Sequence, residues 1–191
     1  MRHTARLAKA PDLASSRTFR QQLYHWDRSA LGEMKVEDYL LRLEYNLMLG
    51  GGRWVADFNE SFWNYRLGDL VFDMFVRASV RGKGFALSQW LAWLTIPNYQ
   101  VACFAYSKDP QLKYLYGVLT TISAYLREHE LAWAWLVICH EGPFSRKARA
   151  MVEHNANAEI GLALVDVSSQ EIVTASSYLG RRMDRFLACF N

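Results

Sequence analysis

Several acidic residues near the start of the regular part of the chain have side chains that could bind a metal ion. Asp57 lies at the end of a first predicted strand, with Glu60 just beyond it, and Asp69 and Asp73 lie on a second. Asp69 and Asp73 are about 13 Å apart on an extended strand, whereas carboxylate ligands lie within about 2.0–2.6 Å of Mg²⁺ or Ca²⁺. They cannot share one ion, but a cross-strand pair of Asp57 with Asp69 or Asp73 could. The alternative for each is a structural role as a cap, a turn residue or a solvated side chain.

A second set of candidates follows two predicted buried strands. His140 and Glu141 come directly after the strand that ends at Cys139, and Asp166 lies near the end of the next strand. Open α/β sheets bind ligands at the carboxyl ends of their strands. An isolated imidazole or carboxylate in that place does not define a reaction.

Basic residues are the candidates for contacts to nucleic acid, because a guanidinium group matches the geometry of a phosphate. The predicted nucleic-acid-binding residues are Arg77, Arg81, Lys83, Arg146, Lys147 and Arg149. The first twenty residues contain five basic and one acidic residue, while the rest of the chain is close to neutral. We therefore predict a basic N-terminal arm or helix over residues 1–35, through which nucleic acid could bind, and a single α/β domain over 36–191. Basic clusters on helices are also typical of plain solvated faces.

Composition excludes several classes of protein. The 191 residues are 51% hydrophobic, which excludes a disordered chain, and 11 Gly with 3 Cys exclude collagen-like and disulfide-framework proteins. The chain lacks the P-loop, nucleophile-elbow, HExxH and CxxC motifs. Its longest apolar run, Leu131 to Cys139, is far shorter than the roughly 20 residues of a membrane span. We expect a cytoplasmic protein without a membrane partner, with its cysteines as buried free thiols.

The elements that position these residues follow from hydrophobic periodicity. Helical spacing predicts a helix over 36–47, and period-two or continuous apolar runs predict strands. The predicted strands are 54–58, 69–77, 99–106, 131–139, 160–167 and 171–174, with helices from 109, from Ser145 and from about Ser177. The predicted fold class is α/β, with a mixed central sheet flanked by helices on both faces and the order α-β-β-β-α-β-α-β-β-α.

The same patterns predict which side chains share a face. We expect Leu70, Phe72, Met74 and Val76 to form one apolar face of their strand. Leu131, Trp133 and Trp135 are predicted to share a face of a later strand, and Tyr178 is predicted to point inward from the last helix.

This order of elements resembles the core of the PD-(D/E)XK nuclease-like, or restriction-endonuclease-like, fold over about residues 36–167. In that family the second strand brings an Asp after a small residue, and Gly68-Asp69 is similar to that position. The third strand of the family carries an acid and a lysine that serve Mg²⁺-dependent cleavage. Here the aligned positions hold Cys103 and Ala105, which supply neither a ligand nor a charge. The resemblance therefore implies a degenerate member that does not cut.

The resulting prediction is a non-catalytic nuclease-like domain, without a cofactor, that acts as a nucleic-acid-associated or structural subunit. One alternative is a Mg²⁺-dependent nuclease with displaced ligands. Its catalytic residues would be Asp57, Asp69, Asp73 and Lys108, with Asp57 and Asp69 as metal ligands. The other alternative is a protein-interaction or homo-oligomeric module that uses exposed aromatic residues. Its candidate anchors are Trp90 with Trp93 and Trp133 with Trp135.

Overall fold

A computed structural model of the protein describes residues 34–50, 56–80, 99–108 and 112–190. Parts of the sequence predictions lie outside these residues. They are the basic arm up to residue 33, Arg81, Lys83 and the Trp90–Trp93 pair.

Six strands and four helices are described, and they follow one another in the predicted order. The helices are α1 (Val36–Met48), α2 (Leu112–Glu128), α3 (Arg146–Glu153) and α4 (Tyr178–Leu187). The strands are β1 (Asp57–Leu67), β2 (Leu70–Val80), β3 (Tyr99–Tyr106), β4 (Leu131–His140), β5 (Ile160–Asp166) and β6 (Glu171–Thr174).

All six strands form one sheet in which each strand pairs with its neighbours in sequence, in the order β1-β2-β3-β4-β5-β6. The β1–β2, β2–β3 and β5–β6 pairs are antiparallel, and the β3–β4 and β4–β5 pairs are parallel. The predicted α/β class with a mixed sheet is therefore confirmed. The continuous apolar runs of β4 and β5 correspond to strands that are buried on both faces.

Two hydrophobic clusters cover the two faces of the sheet. Helices α1 and α4 pack on one face, where Tyr39, Leu43 and Met183 are fully buried. Helices α2 and α3 pack on the other face through residues such as Ile122 and Val152. The crossover helices α2 and α3 thus lie on one side, and the first and last described helices lie on the other.

Local sequence signals set the beginnings of two helices. The Oγ atom of Ser145 accepts a hydrogen bond from the backbone N–H of Ala148 at 3.2 Å, and Ser177 caps α4 through Gly180 in the same way. These are N-caps, which satisfy amide groups that have no partner within the helix. Both starts agree with the sequence prediction.

The first two strands differ from their prediction. Strand β1 begins at Asp57 and runs to Leu67, whereas the predicted strand ended at Phe58. The single apolar face predicted for β2 is also wrong, because Phe72 belongs to the cluster under α2 and Met74 to the cluster under α1. Opposite this point on β1, Asn64 has a left-handed φ of 53° between Trp63, which faces Met74, and Tyr65, which faces Phe72. This backbone reversal interrupts the alternation that period two assumes.

Two further side-chain orientations are corrections. Leu131 packs in the cluster under α2, while Trp135 is buried, and Trp133 partly buried, in the cluster under α1. The cause is a register shift in which Gln100 pairs with Leu131 but Val101 pairs with Trp133, so one extra residue reverses the faces. Tyr178 is 62% exposed rather than inward, since it is the first residue of α4.

Candidate functional site

The carboxyl ends of β3, β4 and β5 meet at one edge of the sheet, because these three strands run parallel. Strand β2 runs the opposite way, so its beginning lies at the same edge. The loop after β3, the β4–α3 loop and the β5–β6 turn all start there. We call this region the carboxyl edge and define it by Asp73, Ser107, Lys108, His140 to Lys147, and Asp166 to Glu171.

The predicted metal pair does not come together. Asp57 pairs with Ser79 at one end of the β1–β2 hairpin, while Asp69 lies in the turn at the other end, next to the Leu67–Leu70 pair. Ten residues of extended strand separate these ends, which corresponds to about 30 Å. The prediction that Asp57 and Asp69 share a metal ion is therefore wrong. Among the described residues, no group of three or more His, Cys, Asp or Glu side chains is placed to hold a metal.

Asp73 and Lys108 do lie near each other at the carboxyl edge. Oδ2 of Asp73 accepts a hydrogen bond of 2.6 Å from the backbone N–H of Ser107, the residue before Lys108. This contact joins the beginning of β2 to the loop that follows β3. Asp73 also affects Tyr106, whose pKa is raised first by burial and then by the negative charge of Asp73.

Asp166 is a buried carboxylate that connects two loops at this edge. It is only 2% exposed, and it accepts hydrogen bonds from the backbone N–H groups of Gly142, Ser168 and Ser169 and from Oγ of Ser169. Burial alone would raise the pKa of this carboxyl, but the hydrogen bonds from Ser169, Gly142 and Ser168 outweigh it and lower the pKa. Asp166 is therefore a structural anion that holds the β4–α3 loop against the β5–β6 turn.

His140 ends β4 and pairs in register with Asp166. Its ring stacks on Phe144, with ring centroids 4.7 Å apart, and its Nδ1 atom is buried without a hydrogen-bond partner. The loop between His140 and Phe144 includes Gly142, whose φ of 104° suits a residue without a side chain. The stacked rings and the bond to Asp166 fix this loop, which leads directly into α3.

The predicted nucleic-acid-binding residues that are described fall into two groups. Arg146 and Lys147 are exposed in the first turn of α3. Arg149 forms a two-pronged ion pair with Glu171 of β6, and Arg77 donates a hydrogen bond to Gln100 of β3. Two of the four are thus engaged within the protein, and the other two face solvent at the carboxyl edge.

Charges of both signs lie at the carboxyl edge. Lys108, Arg146 and Lys147 are exposed, and they come from loops after the neighbouring parallel strands β3 and β4. Three of the nearby carboxylates, Asp73, Asp166 and Glu171, accept hydrogen bonds from the protein. Glu141 is a fourth carboxylate among the described residues of this edge, and it is exposed. The described residues of this edge therefore place three exposed cations beside four carboxylates, and hydrogen bonds orient three of these carboxylates without removing their charge.

The position after buried strands identified His140, Glu141 and Asp166 from the sequence. Lys108 was predicted only as a catalytic residue of the nuclease alternative. The contacts of Gly142, Phe144 and Ser169 were not anticipated. A signal existed for Gly142, because a Gly-Pro pair that is followed, one residue later, by the helix cap Ser145 is typical of a fixed loop.

Within the described residues, no helix combines the length and the apolar content that crossing a membrane requires. Comparison of the chain with protein-family models, curated proteins and solved structures found no match.

Proposed function

We propose that this protein is a non-catalytic α/β domain that binds nucleic acid through its carboxyl edge. The observation that carries the proposal is the convergence of Lys108, Arg146 and Lys147, all exposed, at the ends of two adjacent parallel strands. The resemblance to the nuclease-like fold is consistent with this function but is not needed for it.

The position of α3 favours a phosphate partner. Arg146 and Lys147 occupy the first turn of a helix, where the unpaired N–H groups and the helix dipole attract anions. The Ser145 cap uses the amide of Ala148, and the amide of Arg149 bonds to the Ser145 carbonyl. Among the described residues, none accepts a hydrogen bond from the amides of Arg146 and Lys147, which leaves these two amides for a phosphate oxygen.

Two observations favour binding without cleavage. Asp57 and Asp69 lie at opposite ends of a hairpin and so cannot supply a joint metal site. Cys103 and Ala105, at the positions where the resembled nucleases carry an acid and a lysine, are fully buried under the α1 face of the sheet. A substrate in solution therefore cannot contact the side chains at those two positions.

The proposal is tested by fluorescence anisotropy of single- and double-stranded oligonucleotides over a range of salt concentrations. We expect a triple variant, Lys108→Gln with Arg146→Gln and Lys147→Gln, to reduce the slope of log K against log salt by about 2–3, since each phosphate contact contributes about 0.7–0.9.

The matched control removes three exposed arginines from α4, by Arg181→Gln, Arg182→Gln and Arg185→Gln. It has the same net charge as the triple variant, but its changes lie on the other face of the sheet. Equal loss of affinity in both variants, or no binding by the wild type at low salt, would overturn the proposal.

A metal-dependent nuclease with displaced ligands is the second candidate function, and one contact favours it. The bond between Asp73 and the Ser107 amide places a carboxylate beside the loop that carries Lys108. Incubation of plasmid and single-stranded DNA with Mg²⁺ or Mn²⁺ tests this function. Cleavage that is lost in Asp73→Asn and retained in Asp69→Asn would support it, and intact substrate with the wild type would exclude it.

The hypothesis of a protein-interaction module loses one of its anchors. Trp135 is 1% exposed and stacks with Phe186 of α4 at 5.7 Å, so it serves the core. The other anchor pair, Trp90 and Trp93, lies outside the described residues. Association with a protein partner or a second copy of the chain remains a prediction, which size-exclusion chromatography with light scattering can test.

A further inference from the structure

A groove of about 660 Å³ runs between α2 and α3, away from the carboxyl edge. Its walls are side chains of Tyr116, Leu119, Ser123 and Arg127 on one helix and Met151 and His154 on the other. It continues past α3 to Asn155 and Asn157. Its volume lies within the range of about 300–1,000 Å³ that is usual for small-molecule sites. We propose that this groove binds a small phosphate monoester that carries a planar ring, the chemical class of the mononucleotides.

One end of the groove is rich in hydrogen-bond donors. Arg127 bonds to the Ser123 carbonyl through Nε, which leaves its two terminal nitrogens for a ligand. The Nδ1 atom of His154 donates to the Ala150 carbonyl at 2.7 Å, so the neutral ring presents Nε2 as an acceptor, and His154 adds no donor for a phosphate. None of the lining residues is acidic.

Asn155 and Asn157 add two hydrogen-bond donors to this end of the groove, because their side-chain oxygens already accept hydrogen bonds from the backbone. Oδ1 of Asn155 accepts from the amide of Asn157, and Oδ1 of Asn157 accepts from the amides of Glu159 and Ile160. These bonds fix the orientation of both side chains and leave their NH₂ groups as donors. A phosphate group, with three terminal oxygens, can use several such donors at once.

The other end of the groove suits a flat apolar group. Tyr116 is 66% exposed and lies about 16 Å from Arg127 along α2, at about 1.5 Å per residue. Leu119 and Met151 lie between these ends. An aromatic face and a thioether both pack well against a planar ring. The arrangement therefore places a ring near Tyr116 and Met151 and the phosphate near Arg127.

The carboxyl ends of two helices oppose an anion here and partly offset the attraction of Arg127. Arg127 and His154 lie at the carboxyl ends of α2 and α3, where each helix contributes about half a negative charge. Against these partial charges, Arg127 supplies a full guanidinium charge, and Asn155 and Asn157 supply two amide donors. This balance predicts a modest affinity that depends strongly on Arg127.

The test is a titration followed by NMR of the protein labelled with ¹³C in its methionine methyl groups. We expect AMP to shift the Met151 signal saturably, inorganic phosphate to compete, and adenosine to bind at least tenfold more weakly than AMP. Arg127→Gln should weaken AMP binding by about tenfold or more, because it removes a charged hydrogen bond.

Two controls locate the site. Arg185→Gln removes an exposed arginine from α4, on the other face of the sheet, and should leave AMP affinity unchanged. The triple variant at Lys108, Arg146 and Lys147 should also leave it unchanged. Arg146 and Lys147 begin α3, about 10–12 Å along the helix from His154, and Lys108 precedes α2, at the opposite end of that helix from Arg127. This result would show that AMP binding in the groove does not depend on the residues that we assign to nucleic-acid binding at the carboxyl edge.

Three results would overturn the proposal. The first is an unshifted Met151 signal at millimolar AMP. The second is equal affinity for AMP and adenosine, which removes the role of the phosphate. The third is an unchanged affinity in Arg127→Gln, which places the anion elsewhere.

Discussion

The carboxylate of Asp166 accepts a hydrogen bond of 3.0 Å from the backbone N–H of Gly142. Asp166 ends β5, and Gly142 lies in the loop after the neighbouring parallel strand β4. The bond fixes that loop directly before α3, whose first turn carries Arg146 and Lys147. A buried, hydrogen-bonded anion thus positions the cations that we assign to phosphate binding.

Replacing Asp166 with Asn should destabilise the protein by about 1.5–3 kcal/mol at pH 7, because hydrogen bonds to a charged group are lost. The folded pKa of Asp166 is lowered, so its carboxylate stabilises the fold above about pH 4 and loses this effect as pH falls through the folded pKa. The difference in the free energy of unfolding between the wild type and Asp166→Asn should therefore decrease below about pH 4. Urea denaturation at several pH values measures it.

Asp184→Asn is the control for this experiment, since Asp184 is exposed on α4. We expect it to change the free energy of unfolding little at any pH. A loss in Asp166→Asn that stays constant from pH 7 to pH 3 would contradict the assigned role of the charge.

Arg149 and Arg146 should contribute differently to nucleic-acid binding, although both lie on α3. Arg149 is held by Glu171, and this partner raises the pKa of Arg149 and lowers that of Glu171. Arg146→Gln should reduce the slope of log K against log salt by about 0.7–0.9, whereas Arg149→Gln should change it much less. Salt titrations of the two single variants compare them directly, and a larger effect at Arg149 would refute the assignment.

Gly180 should tolerate no side chain. A Cβ atom at this position of α4 would lie 2.3 Å from the carbonyl oxygen of Ala175. Gly180→Ala should therefore destabilise the protein by about 1–3 kcal/mol through overpacking. Thermal or urea denaturation gives the value.

Gly117 is the matched position for this substitution. It lies within α2, and a Cβ there would have no atom within 4 Å. Gly117→Ala should stabilise the protein by about 0.5–1 kcal/mol, because alanine favours the helix. Destabilisation at Gly117, or none at Gly180, would contradict the packing described for these helices.

The three cysteines should differ in their reactivity with a thiol reagent. Burial raises the pKa of Cys103 to about 12 and raises the pKa of Cys139 further. Burial also raises the pKa of Cys189 to about 11, although a hydrogen bond from Tyr39 acts in the opposite direction. Because Cys189 is only partly buried, it should react first, and the other two should react only on unfolding. Cys189→Ser should abolish labelling of the native protein, and rapid native labelling of that variant would contradict the burial of the others.

Much of the fold could be predicted from local patterns. The apolar spacing of α1, the continuous apolar runs of β4 and β5, and the serine caps at Ser145 and Ser177 are short-range signals. The errors arose where the two faces of a strand exchange, between Phe72 and Met74 of β2, opposite Asn64 of β1, and at the register shift before Trp133 in β4. Periodicity assumes uninterrupted alternation and so cannot locate such a point.

The sequence by itself determined the order and type of the elements, because a helix or strand is specified by the spacing of its own residues and by its caps. Only the tertiary structure decided which side chains meet. It separated Asp57 from Asp69, joined Asp73 to the Ser107 amide and Asp166 to Gly142, and brought Lys108 to the same edge as Arg146. These distances depend on strand direction, neighbour order and register, which are properties of pairs of strands and are not written in the pattern of either one.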